Sequence, residues 1–317
     1  MDAQQPHGSR LTQLQGHPFV TDGGIETDLI FHHGVDMPHF AAFPLLENAE
    51  GRKLLEDYYD GYAAIARKAG SGLMLEAPTW RANPDWGDEL GYSAESLSEV
   101  NRSAIEMLFQ LRDRYVETIP EVIVGGVIGP RGDGYAPDSL MEASEAADYH
   151  RPQIKAFADA GADIVTALTM THVGEALGIV RAADDVGLPV AISFTLETDG
   201  TLPTSQSLAQ AIDEVDDAGG PAYFLVNCAH PDHIEHALAP AGAWLERIVG
   251  IRFNASTKSH AELDEALELD EGSPELLATA YDRLKPMLPK VSVVGGCCGT
   301  DARHVASLWG VEPSGGR

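Results

Sequence analysis

Lysine is scarce in this 317-residue chain: six of the 21 basic residues, set against 49 acidic ones for a net charge of −28. A field of that sign repels phosphate backbones and anionic lipid surfaces, so neither nucleic acid nor a membrane is an expected partner. Long apolar runs are missing as well. No stretch approaches the roughly 20 consecutive apolar residues of a membrane-spanning helix, and the opening MDAQQPHGSR lacks the apolar core of a signal peptide, so a cytoplasmic protein is expected. Three cysteines, Cys228, Cys297 and Cys298, are too few and too unevenly placed for a disulfide framework. No GxGxxG follows an early strand, which removes the usual dinucleotide fingerprint. No Pro/Ser-rich linker divides the chain.

What remains is a globular composition, 44% hydrophobic and 22% charged with 32 glycines, with ample apolar material for a core. Eight short apolar runs recur: Phe19 to Thr21, Leu73 to Glu76, Val122 to Val127, Ile164 to Ala167, Val190 to Phe194, Tyr223 to Val226, Ile248 to Phe253 and Val291 to Val294. Between them, Arg52 to Lys68, Ser96 to Tyr115, Ala143 to Ala160, Val173 to Asp185, Ser205 to Asp217, Pro274 to Leu288 and Ala302 to Leu308 have helical spacing, and Asp232 to Leu238 is a shorter helical segment. The turns KAGSG, DAGAD, DVGLP and DAGGP each hand a helix over to a strand, glycine supplying the left-handed residue that stops the helix. Such alternation predicts a parallel sheet covered by helices, and eight repeats predict closure into a (β/α)8 TIM barrel within the α/β class. The expected organisation is an N-terminal extension over 1–17, a catalytic barrel over 18–309 and a tail over 310–317.

Barrel active sites form at the C-terminal ends of the strands. The long loops Glu26 to Asn48 and Pro78 to Ala94, rich in aromatics, His and Pro, open there and are candidate lids. Cys228 closes the sixth strand in FLVNCAHP, and Cys297 and Cys298 close the eighth in VVGGCCGT, so three sulfurs remote in sequence meet at one mouth. Neighbours on a strand face opposite ways. Both members of the pair turn inward only where the backbone leaves β geometry, which Gly295, Gly296 and Gly299 permit. Three thiolates form a soft donor set suited to Zn2+, with sulfur at about 2.3 Å and a fourth position open to a substrate. A thiol bound there loses its proton near neutral pH and becomes a nucleophile without a protein base. The plain alternative is that the cysteines are small buried residues with no metal.

Three anchors, TDGGIETDL after the first strand, VNCAHP at the sixth and GGCCGT at the eighth, resemble those of the homocysteine S-methyltransferase family. Its members are zinc-dependent barrels that move a methyl group from a sulfonium, betaine or folate donor to a thiol. The likeness runs from about Pro18 to Trp309; GGCCGT is its specific part, whereas DGG alone is weak. It implies Cys228, Cys297 and Cys298 as zinc ligands, a substrate pocket at Asp22, Gly23 and Gly24, and Asn227 as a contact of the substrate or of the loop. Many members end the fourth strand with a glutamate that helps hold the amino group of homocysteine; here TALTMTH places Leu168 there. Glu26 and Glu76 are the carboxylates placed to take over, unless the acceptor lacks that ammonium.

Other residues read two ways. Trp80 and Trp86 offer faces to a cationic donor, or simply pack. His32, His33, His39 and His172 lack ligand spacing and read as satisfied or surface histidines. Asn254, Ser256 and Thr257 either bind substrate or cap the following helix. The expected function is transfer of a methyl group from a cationic donor, S-methylmethionine or S-adenosylmethionine, to a small thiol such as homocysteine, forming methionine. The competing expectations are a non-catalytic zinc- or thiol-binding barrel, a methyltransferase for a different thiol, and an unrelated barrel lyase with buried cysteines.

Overall fold

In the computed structural model, which describes residues 11–313 apart from 136–139, 265 and 267, eight parallel strands close a barrel in chain order. They are β1 (Phe19–Val20), β2 (Gly72–Glu76), β3 (Val122–Ile128), β4 (Ile164–Met170), β5 (Val190–Thr195), β6 (Tyr223–Ala229), β7 (Ile248–Phe253) and β8 (Val293–Gly296). Closure is made by Phe19 and Val20, which pair with Gly72 and Leu73 on one side and with Val293 and Val294 on the other. The helices are α1 (Ile25–Phe31), α2 (Ala49–Ala69), α3 (Pro84–Glu89), α4 (Ala94–Tyr115), α5 (Ala143–Ala160), α6 (Val173–Val186), α7 (Leu208–Asp217), α8 (Pro231–Leu238), α9 (His260–Asp264), α10 (Pro274–Leu284) and α11 (Ala302–Leu308). The expected (β/α)8 barrel is therefore the fold.

Local chemistry sets the element ends. The Asn48 side chain accepts from Gly51 N–H to open α2, which stops at left-handed Gly70; Gly161 and Gly187 stop α5 and α6 in the same way. The helix expected from Ser205 starts at Leu208, because Ser207 and Gln210 form a reciprocal capping box. The eighth strand lies two residues nearer the mouth than expected. Gly295 and Gly296 read as loop by propensity, yet they pair with Arg252 and Phe253 of β7.

Leu11, Phe19, Met74, Ile123, Ile164, Tyr223, Leu225 and Val293 fill the barrel interior in one apolar cluster. Thr12–Gln15 form a short 3-10 turn, and the Ser292 hydroxyl donates to the Gln13 carbonyl, fastening this part of the expected extension to β8. Residues 1–10 and 314–317 lie outside the described residues. Among the described residues no helix is long and apolar enough to cross a membrane.

Candidate active site

A cavity of about 550 Å3 opens at the strand C-termini and is lined by the three cysteines together with Asp22, Glu26 and Glu76. Cys228 lies on β6 with a left-handed φ of 54°, rare for a residue with a side chain, where the register between β6 and β7 shifts. β8 ends at Gly296, so Cys297 and Cys298 stand in the turn beyond it, free of strand alternation. The expected departure from β geometry thus occurs, with a different division of labour. Among the flanking glycines only Gly299 has a positive φ, 77°. Gly295 and Gly296 supply space instead: a Cβ would lie 2.6 Å from the Asp22 carbonyl oxygen at the first and 2.0 Å from Thr300 Oγ1 at the second.

The three Sγ atoms lie within 4.8 Å of one another, with Cys228 at 3.6 Å from Cys298 and 2.6 Å from Cys297. Two thiolates on one tetrahedral zinc with ~2.3 Å bonds stand about 3.8 Å apart. The trio fits such an ion once Cys297 withdraws from Cys228 by about 1 Å. The contact with Cys228 holds the Cys297 thiol well below its ordinary range, with Cys298, Arg252 and Asn227 acting in the same direction. The same contact pushes Cys228 well up. A second grouping, Asp28, His32 and Asp301, also brings three ligand atoms together. There the Arg303 guanidinium already sits 2.6 Å from Asp301, so the positive charge is in place.

Asn227 spends its whole amide on the protein. Its Oδ1 accepts from Thr169 N–H at 2.8 Å and from the Ser193 hydroxyl at 2.6 Å; its Nδ2 donates to Thr169 Oγ1 at 2.9 Å and to Cys297 Sγ at 3.7 Å. It thereby fixes Thr169, whose φ is 64°, beside Leu168 on the cavity wall. Tyr135, from the loop after β3, puts its hydroxyl 3.3 Å from Cys228 Sγ and 3.4 Å from Cys298 Sγ, and its ring stacks on His260. His260 Nε2 in turn lies 2.7 Å from the Cys228 carbonyl oxygen.

Arg252 of β7 organises the acids. It contacts Asp22 at 2.5 Å and Glu76 more closely still, and it donates to the carbonyls of Gly23 and Gly296. One buried guanidinium thus ties the β1 turn, the end of β2 and the turn carrying Cys297. Burial pushes the Asp22 carboxyl up to about 6 in spite of Arg252. Burial also pushes Glu26 up to about 7. Sequence reasoning missed Arg252 and Tyr135: RFNAS and GDGYAP match no ligand spacing, and only the closed barrel shows what each meets.

The remaining candidates divide. Gly23 and Gly24 line the cavity, and Gly24 packs so closely that a Cβ would lie 2.4 Å from the Cys297 carbonyl oxygen. Trp80 lines the cavity, whereas Trp86 does not. The Arg81 guanidinium lies 4.2 Å from each indole, covering one face of both. His32 bonds Asp28 and Glu271, and His172 caps α6. Asn254, Ser256 and Thr257 lie outside the cavity lining.

Comparison with known proteins adds the evolutionary frame. The family model described as homocysteine S-methyltransferase matches residues 19–309. The chain is similar to homocysteine S-methyltransferase 1 of Arabidopsis thaliana, 22% identical over 311 residues covering 91% of each. It is also similar to the homocysteine S-methyltransferase of Escherichia coli, 25% identical over 294 residues covering 85% of this chain and 86% of that one. Selenocysteine Se-methyltransferase of Brassica oleracea var. italica is 22% identical over 321 residues, covering 94% and 90%. Among solved structures, the metallated form of the homocysteine methyltransferase MmuM from Escherichia coli superposes with a TM-score of 0.72 at 20% identity, covering 93% of this chain and 96% of that one; at that identity the likeness speaks for the fold.

Proposed function

Because the chain belongs to the homocysteine S-methyltransferase family and is thereby an enzyme of the methyltransferase class, we propose that it transfers a methyl group from a cationic sulfonium donor to a small thiol, homocysteine first among them. The observation that carries this reading is the convergence of three sulfurs from β6 and the turn after β8 beside an acid-lined cavity. Cys228, Cys297 and Cys298 would hold Zn2+, which when bound supplies the Lewis acidity that keeps an acceptor thiol deprotonated near neutral pH.

The chain's own residues do the rest. The Tyr135 hydroxyl, against two of the sulfurs, gives up its place to the acceptor. Asn227 and the Arg252 clasp keep the Cys297 turn in position, and the Asp22, Gly23, Gly24, Glu26 and Glu76 wall surrounds the acceptor. The acidic cavity, with the Trp80 indole in its lining, favours a cationic donor, S-methylmethionine or S-adenosylmethionine. The acceptor sulfur attacks the methyl carbon in line; its new S–C bond forms as the donor's C–S+ bond breaks, and the donor leaves as a neutral thioether. Homocysteine would leave as methionine. The walls contribute by alignment and by exclusion of water. Such chemistry suits a cytoplasmic enzyme whose partners are small molecules and whose thiols stay reduced.

Metal analysis of reduced protein, coupled to mass detection of the methylated product over a panel of donors and acceptors, tests the proposal. Stoichiometric zinc and a methylated thiol are expected, both lost in Cys297→Ser; undiminished zinc and turnover in that variant would reject the ligand role. Leu168 on the cavity wall favours one second reading, a different thiol or selenol acceptor, and the same panel separates the two.

A further inference from the structure

The cavity's carboxylates are not equivalent. Asp22 and Glu76 are both ion-paired to Arg252 and accept from the hydroxyls of Tyr58 and Thr21 respectively; the one guanidinium offsets one of the two charges, and Glu76 Oε1 stays buried without a hydrogen-bond partner. Glu26 accepts from its own backbone N–H and, among the described residues, has no hydrogen bond or ion pair to another side chain. It nevertheless lines the cavity, held between two residues that grip the cysteine turn. Gly24 packs on the Cys297 carbonyl, and Thr27 Oγ1 accepts from Gly299 N–H at 3.1 Å. Glu26 is partly buried and feels Arg252 and Arg81 only through space; a carboxylate withdrawn from water with no cation in ion-pair contact is a costly arrangement for a folded protein, and it becomes favourable when a ligand brings a cation into contact.

We infer that Glu26 is the specificity-determining residue for the acceptor: it selects thiols that carry a protonated amine a few carbons from the sulfur, where β4 offers only Leu168. The inference rests on the reading that the acceptor sulfur binds at the cysteine trio. With the sulfur there, an ammonium two or three carbons away lies on the side of the cavity that α1 and the cysteine turn build together. Glu26 is the acid on that side with charge to spare. A carboxylate also suits an ammonium better than a sulfonium, because the ammonium returns hydrogen bonds and the sulfonium has none to give. The donor's cation therefore has less claim on this group.

Binding without turnover tests this. Cobalt(II)-substituted protein is titrated with L-homocysteine and with 4-mercaptobutyrate, which is homocysteine without its amine, and the visible bands of the metal report thiol capture with no donor present. The unsubstituted chain is expected to bind homocysteine at least tenfold more tightly than 4-mercaptobutyrate. In Glu26→Gln the homocysteine affinity is expected to fall by about 10- to 100-fold, the range of one charge-assisted hydrogen bond, with 4-mercaptobutyrate affinity within about twofold. Glu26→Asp should fall between, and equal cobalt content in all three proteins shows that the metal centre is intact. Equal weakening of both thiols, or of neither, would overturn the role of Glu26. Bands that no thiol perturbs in the unsubstituted chain would instead overturn thiol capture at the trio, and the inference with it.

Discussion

Replacing Arg252 by Met removes a buried charge that joins three elements of the mouth. The guanidinium side chain is 5% exposed, and the Asp22 and Glu76 side chains it pairs with are 6% and 2% exposed. Solvent therefore replaces very little of the lost interaction. Breaking a buried pair by deleting one partner costs about 3–5 kcal/mol, and two carbonyls, those of Gly23 and Gly296, lose their donors at about 1 kcal/mol each. Part of this is recovered when Asp22 takes up a proton. Its folded pKa, already raised to about 6 by burial, rises further once Arg252 no longer lowers it, so the protonated acid is tolerated at low pH and that stability is lost as pH rises through the folded value. The deficit should therefore be near its full size at pH 8 and clearly smaller at pH 5. Urea unfolding of reduced, metal-free protein at the two pH values measures it, and Arg252→Met/Glu76→Gln should regain about 1–2 kcal/mol at pH 8 by removing one stranded charge. A loss below about 1 kcal/mol at pH 8, or one that does not change with pH, would refute the picture of a buried clasp.

Three other outcomes follow from the same geometry. Glu26 rises from 4.5 to about 7 on folding, so its ionised form opposes folding above pH 7 and is without effect below about 4.5; Glu26→Gln should raise the stability of metal-free protein by up to about 3 kcal/mol at pH 8. That gain, read from thermal midpoints, should vanish by pH 4.5, and its persistence there would count against the assignment. Asn227→Ala should lower zinc affinity by about 10- to 100-fold, measured by chelator competition, because the N–H to Cys297 Sγ and the anchor of Thr169 disappear together. Gly24→Ala should weaken metal binding while leaving far-UV helicity unchanged, since its Cβ would meet the Cys297 carbonyl at 2.4 Å; unaltered zinc affinity would show that the two turns can separate freely.

The barrel was legible because it rests on repetition. Each apolar run with its following helix and glycine turn carries the same local signal, and eight copies leave one economical closure. The convergence of the cysteines was legible for a related reason: FLVNCAHP and VVGGCCGT put thiols at strand ends, and strand ends of a barrel share a mouth. The eighth strand was misplaced by two residues because glycine's low strand propensity hid Gly295 and Gly296, which β7 holds in the sheet.

Sequence by itself settled the periodicity and the fold class and placed three cysteines at two strand ends, all of which depend on near neighbours in the chain or on the order of elements. Only the tertiary structure decided which acids are ion-paired and which is not. Asp22, Glu26 and Glu76 look alike along the chain, and they differ because Arg252, 230 residues beyond Asp22, makes ion pairs with two of them and acts on the third only through space. Electrostatic roles are properties of distance and desolvation in space, and no local pattern of residues encodes them.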